Sequence, residues 1–130
     1  MSPSILLFDP DPTAASTLTL QLRRAGFEIV MTTDGSAALI AAKGQEFASI
    51  VVVANLADAQ MRNCLHELRD AAPNTWLMVI SDPASDFARG VVQQLGGNAT
   101  IDVPFTVSDL GQRLSALSER GPHGVGRHLV

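Results

Sequence analysis

An α/β fold built on a parallel sheet is what this sequence predicts, and three observations predict it. Five short apolar runs recur along the 130 residues: Ser4 to Phe8, Phe27 to Thr32, Phe47 to Ala57, Trp76 to Ser81 and Ala99 to Val103. A helical pattern fills every gap between them and another follows the last. The third run, Phe47-Ala48-Ser49-Ile50-Val51-Val52-Val53-Ala54-Asn55-Leu56-Ala57, is β-branched and almost wholly apolar, as a strand buried on both faces of a parallel sheet reads. It is the expected central strand. Each parallel crossover is right-handed and covers one face, so five such units place helices on both faces.

Each element has a local reason. After the first strand, Asp9-Pro10-Asp11-Pro12 stops strand pairing, and Asp11 can cap a helix with Pro12 in its first turn. That helix is predicted over Pro12 to Ala25, with Ala14, Leu18, Leu22 and Ala25 as its apolar stripe and Gly26 at the left-handed C-terminal cap. Asp34-Gly35-Ser36 turns from the second strand into a short helix, Ala37 to Lys43. A third helix, Asp58 to Ala72, should bury Met61, Cys64, Leu65 and Leu68. A fourth is expected near Ser85 to Leu95, where Phe87, Val91 and Leu95 recur one turn apart. The fifth opens on Thr106-Val107-Ser108-Asp109, a reciprocal cap, and buries Leu110, Leu114 and Leu117. Residues 1–118 are read as one domain, and 119–130, with three glycines and no period, as a flexible tail or linker.

Composition narrows the function. The length suits one domain whose core needs no metal or disulfide. The single cysteine excludes an internal disulfide and fits a reducing compartment. A formal net charge of -4, with no Lys/Arg cluster on a predicted helix, argues against direct nucleic-acid binding. The apolar opening is too short for an export signal, and no run approaches a membrane span. A soluble cytoplasmic protein is expected.

Function in such sheets collects at the carboxyl ends of the strands. That rim is Asp9 with Asp11, Val53 with Asn55, Ser81 with Asp82, and Asp102 with Val103. Here the chain, from about Ser4 to Ser118, resembles the receiver domain of bacterial two-component response regulators (CheY-like). Ile5-Leu6-Leu7-Phe8-Asp9-Pro10-Asp11 matches the family's first segment, Phe47 to Ala57 its third, and Ser81 through Pro104-Phe105 the remainder. The resemblance implies a flavodoxin-like (βα)5 sandwich with strand order 2-1-3-4-5.

The same resemblance implies a damaged site. The family holds Mg²⁺ with carboxylates and phosphorylates an aspartate at the end of strand three. Here the second acid position is Pro10, although Asp11 follows; the acceptor position is Val53; the conserved lysine position is Val103. Thr100 stands where the family commonly has an aromatic switch residue. Asp9 and Ser81 alone survive. The losses are mutually consistent, because a lysine without its acidic partners has no charge to pair with.

The expected function is therefore a receiver-like domain that has lost aspartyl-phosphate chemistry and acts as a phosphorylation-independent interaction or dimerisation module. Its partner would be a signalling protein: a kinase, effector or output domain. The family's face built from the fourth and fifth predicted helices and the fifth strand would present Arg89, Asp102, Asp109 and Arg113, charges able to pair across a two-fold axis. One alternative is a working receiver phosphorylated on Asp9, Asp11 or Asp58. Another is a small enzyme or cofactor binder on the same fold, against which the carboxylate and proline loop Asp9 to Pro12 speaks, since it repels phosphate and lacks two N–H groups.

No cofactor is expected, and Mg²⁺ at most weakly, through Asp9 and Asp11. The simpler roles are an N-cap for Asp11, a solvated rim acid for Asp9, and cap and turn residues for Asp58 and Asp82. Cys64 reads as a small buried hydrophobe, and His66, His123 and His128 lack metal-ligand spacing. Pro104 is a candidate for a cis peptide bond, as in the family.

Overall fold

The computed structural model describes residues 3–54, 58–81, 90, 93–94, 99–102 and 106–119. Five parallel strands, β1 (Ser4–Phe8), β2 (Glu28–Thr32), β3 (Ser49–Ala54), β4 (Trp76–Ser81) and β5 (Ala99–Asp102), lie in the order β2-β1-β3-β4-β5. The helices are α1 (Pro12–Arg24), α2 (Gly35–Gly44), α3 (Ala59–Ala71) and a C-terminal helix (Val107–Glu119). The fourth helix predicted from sequence falls largely outside the described residues, as do Asp82, Arg89, Val103, Pro104 and the tail beyond Glu119.

Strand parity splits the core into two layers. Leu6, Phe8, Ile50, Val52 and Ala54 point to one face and pack with Met61, Leu65 and Leu68 of α3 and Ala38 and Ala42 of α2. Ile5, Leu7, Val51, Met78 and Ile80 point to the other and meet Leu18 and Leu22 of α1 and Leu110, Leu114 and Leu117 of the C-terminal helix. Each fully buried Leu or Ile contributes roughly 1.5–3 kcal/mol of apolar transfer. The central strand is buried along its whole length except at Val53, which is half-buried.

Helix ends follow the caps, and one cap corrects a boundary. Asp11 accepts from the Thr13 and Ala14 amides at 3.0 and 3.4 Å, and Gly26 takes φ +103° after α1. Asp34 accepts from the Ala37 amide at 3.3 Å, so α2 begins at Gly35, two residues before the expected start. Thr106 Oγ1 accepts from the Asp109 amide at 3.0 Å, half of the predicted reciprocal cap. The stripe of α1 is Ala15, Leu18, Thr19 and Leu22; Ala14 and Ala25 are exposed. Residues 15, 18, 19 and 22 are the i, i+3, i+4, i+7 set that one helical face allows, and Ala14 and Ala25 sit beside it.

One anchor has no signature in the sequence. Arg69 Nη1 donates to the carbonyls of Ala72, Pro73 and Thr75 at 3.1, 3.2 and 2.7 Å, tying the end of α3 to the turn that starts β4. Burial lowers the guanidinium's pKa from its ordinary value, and it holds three carbonyl oxygens in return.

Candidate functional site at the carboxyl ends of the strands

The register fixes what faces what at the rim. Phe8 pairs with Val52, so the next step along both chains sets Asp9 beside Val53. Val53 pairs with Ile80, and Ala54 with Ser81, which pairs in turn with Asp102. Parity carries Asp9 onto the face of Ile5 and Leu7, and Val53 onto the same face with Val51, where its isopropyl group packs against that layer of the core. Thr100 lies in β5 opposite Val79.

Asp9 is not the solvated acid expected from its position. It is 4 % exposed. Its amide donates to the Thr32 carbonyl at 3.1 Å, which carries the β1–β2 ladder one residue past Phe8 and draws the side chain under the following loop. There Oδ1 accepts from the Asp11 amide at 3.0 Å. Burial pushes the carboxyl's pKa up; the Asp11 amide opposes this, and the Asp11 charge adds to it.

A divalent cation of the kind the resemblance implies does not fit these residues. Burial disfavours the charged Asp9 carboxylate that a cation would need, and the side chains of Pro10 and Val53 carry no oxygen. Among the described residues no group of three or more His, Cys, Asp or Glu side chains could hold a metal ion. Asp11 is committed to capping α1, and Asp58 caps α3, accepting from the Gln60 amide at 2.9 Å. Asp109 and Arg113 are exposed one turn apart on the C-terminal helix.

Sequence reasoning missed a cavity of about 420 Å³ between the starts of α2 and α3, lined in part by Phe8, Pro10, Asp34, Asp58, Met61 and Cys64. Cys64 is half-buried rather than buried, and its sulfur packs close to Gly35, where an added Cβ would lie 3.2 Å from Sγ. Burial, then the charges of Glu67 and Asp34, raise the thiol's pKa, which keeps it protonated and a poor nucleophile. Only the pairing of Gly35 with a cysteine one turn into the next helix's apolar stripe hinted at this space. His66 is exposed, off the stripe of α3 as expected.

No family model matches the chain. It is 30% identical over 119 residues to the probable transcriptional regulatory protein TcrX of Mycobacterium tuberculosis, an alignment covering 90% of this chain and 50% of that protein. The chain thus spans about half the length of the relative it matches. Among solved structures it is similar to the receiver domain of Francisella response regulator 1452, with a TM-score of 0.81 at 22% identity, covering 92% of this chain and 98% of that one. It is also similar to the receiver domain of a sensor histidine kinase from Pseudomonas aeruginosa, solved with a magnesium ion coordinated in the active site cleft: TM-score 0.80, 21% identity, coverage 92% and 99%. A putative pilus assembly-related protein from Burkholderia pseudomallei superposes with a TM-score of 0.79 at 15% identity over 91% and 90% of the two chains. The architecture of this chain is that of the response regulator receiver, the CheY-like arrangement of five parallel strands between helices.

Proposed function

We propose that this chain is a receiver-type domain of two-component signalling that has lost phosphoryl transfer and works through protein contacts. Val53 carries the reading. At the end of the central strand, level with Asp9 and in register with Ile80, it supplies no oxygen to be phosphorylated and no ligand for a metal. The neighbouring Pro10 removes a second carboxylate from the same rim. The partners proposed are a kinase, an effector or an output domain; no enzymatic activity and no cofactor are assigned.

The other acids offer a phosphodonor little. Asp9 has one oxygen tied to an amide and its pKa raised, while Asp11 and Asp58 are engaged at helix starts. The test is incubation with a small-molecule phosphodonor and Mg²⁺, followed by intact mass and hydroxylamine treatment. No mass increase is expected. A hydroxylamine-labile gain of one phosphoryl group on any aspartate would overturn the proposal and identify the acid used.

A further inference from the structure

The cleft between the starts of α2 and α3, at about 420 Å³, has the size of a small-molecule site. Its floor is apolar, made by Phe8 at the end of β1, Leu39 of α2, and Met61 and Cys64 of α3. Gly35 keeps that floor open, because a Cβ there would lie 3.2 Å from Cys64 Sγ and 3.8 Å from the Phe8 ring. The walls carry Asp34, Asp58 and Glu67, and no Lys, Arg or His is among the described residues that line the cleft. Two helix starts would ordinarily draw an anion. These two are already answered: Asp34 accepts from the Ala37 amide at 3.3 Å and Asp58 from the Gln60 amide at 2.9 Å, so carboxylates stand where an anion would bind. Glu67 adds negative charge further along α3, with no helix start beside it. After burial, the charges of Glu67 and Asp34 both raise the Cys64 pKa, so the fields of the two walls meet at the floor.

We propose that this cleft binds a small organic cation, an ammonium or guanidinium group carried on an apolar body the size of one ring. The apolar body lies on Phe8, Leu39 and Met61, and the cation sits between Asp34 and Glu67, where opposite charge is favoured and no basic side chain competes. The same walls reject carboxylates and phosphates. The proposal stands apart from the loss of phosphoryl transfer: Val53 carries that reading, and it does not line the cleft.

Cys64 is the chain's only cysteine, so its labelling rate reports on the cleft. The full chain is treated with methyl methanethiosulfonate, an uncharged thiol reagent, in the presence of phenethylammonium, phenylacetate or ethylammonium at constant ionic strength. Phenethylammonium should slow labelling saturably with a Kd of about 1–10 mM, the affinity of a fragment this small. Phenylacetate has the ring with the opposite charge, and ethylammonium has the charge without the ring; each should leave the rate unchanged. Glu67→Gln, at an exposed position, and Asp34→Asn, which keeps an oxygen for the Ala37 amide, should each weaken the protection about threefold or more with an unchanged circular dichroism spectrum. No saturable protection by phenethylammonium, equal protection by either control compound, or full protection in both variants would overturn the proposal.

Discussion

Replacing Val53 with aspartate puts a carboxylate near the end of the central strand, and it should destabilise this protein. The isopropyl group is half-buried against the layer containing Leu7, Val51 and Ile80, so its removal costs about 1 kcal/mol of apolar transfer. The new carboxylate would lie beside Asp9, one strand spacing away or about 5 Å. Two unit charges at that separation and an effective dielectric constant near 20 repel by roughly 3 kcal/mol, an upper figure because the pair can share a proton. The expected loss at pH 7.5 is about 2–4 kcal/mol, a large part of a typical domain's stability. Both carboxyls would have folded-state pKa values above their unfolded ones. Below about pH 4 both states are protonated and the repulsion vanishes; it grows as pH rises through the window up to the raised folded values. Urea denaturation of Val53→Asp at pH 7.5 and 4.5, with Val53→Asn as the uncharged control, measures it. At pH 7.5 the aspartate variant should be the weaker by more than 1 kcal/mol, and the gap should narrow at pH 4.5. Equal losses in the two variants at pH 7.5 would show that position 53 does not stand beside Asp9, and the placement of the site would be wrong.

Asp9→Asn keeps an oxygen for the Asp11 amide and removes a charge that burial disfavours. Its denaturation midpoint should exceed the wild type's at pH 7, and the two should converge below about pH 4, where Asp9 is protonated folded or unfolded. Arg69→Met leaves the carbonyls of Ala72, Pro73 and Thr75 without the donor they share, and should lower stability by about 1–3 kcal/mol in the same assay. Two glycines should respond with opposite signs. Gly26→Ala forces a side chain onto φ +103° and should cost about 1–3 kcal/mol, although no atom stands within 4 Å of the added Cβ. Gly111→Ala sits inside a helix, with its Cβ at an ordinary 3.6 Å from the Phe27 ring, and should gain up to about 1 kcal/mol.

The features legible in the sequence were those set by periodicity and local chemistry. The strand β4 runs from Trp76 to Ser81 as its apolar run does, and Asp11, Asp58 and Thr106 cap the helices they precede, because a cap is decided within three or four residues. What was hidden depends on residues distant in the chain. The burial of Asp9 follows from its amide meeting Thr32, 23 positions away, which no period announces. Arg69 occupies an ordinary place in an amphipathic helix; its role appears only when the turn after α3 brings three carbonyls within its reach. Cys64 fell on the apolar stripe as expected, yet the cleft between the starts of α2 and α3 leaves it half-exposed. In each case tertiary approach decided the outcome, and the local pattern was silent.

The two layers of the core, centred on Leu6, Ile50 and Leu65 on one face and on Leu7, Val51 and Leu114 on the other, are built below the rim. The described residues that form these layers are almost all apolar. At the rim, Asp9 has its charge disfavoured by the fold that surrounds it. A second carboxylate at position 10 or 53 would add like charge at the same point, and only a bound cation or a nearby lysine would offset it. Proline and valine at those positions therefore relieve electrostatic strain while the apolar layers remain intact. A carboxylate cluster here therefore costs stability whenever no cation or lysine accompanies it. If Val53→Asp proved as stable as the asparagine control at neutral pH, that repulsion would be absent, and proline and valine at the rim would need another cause.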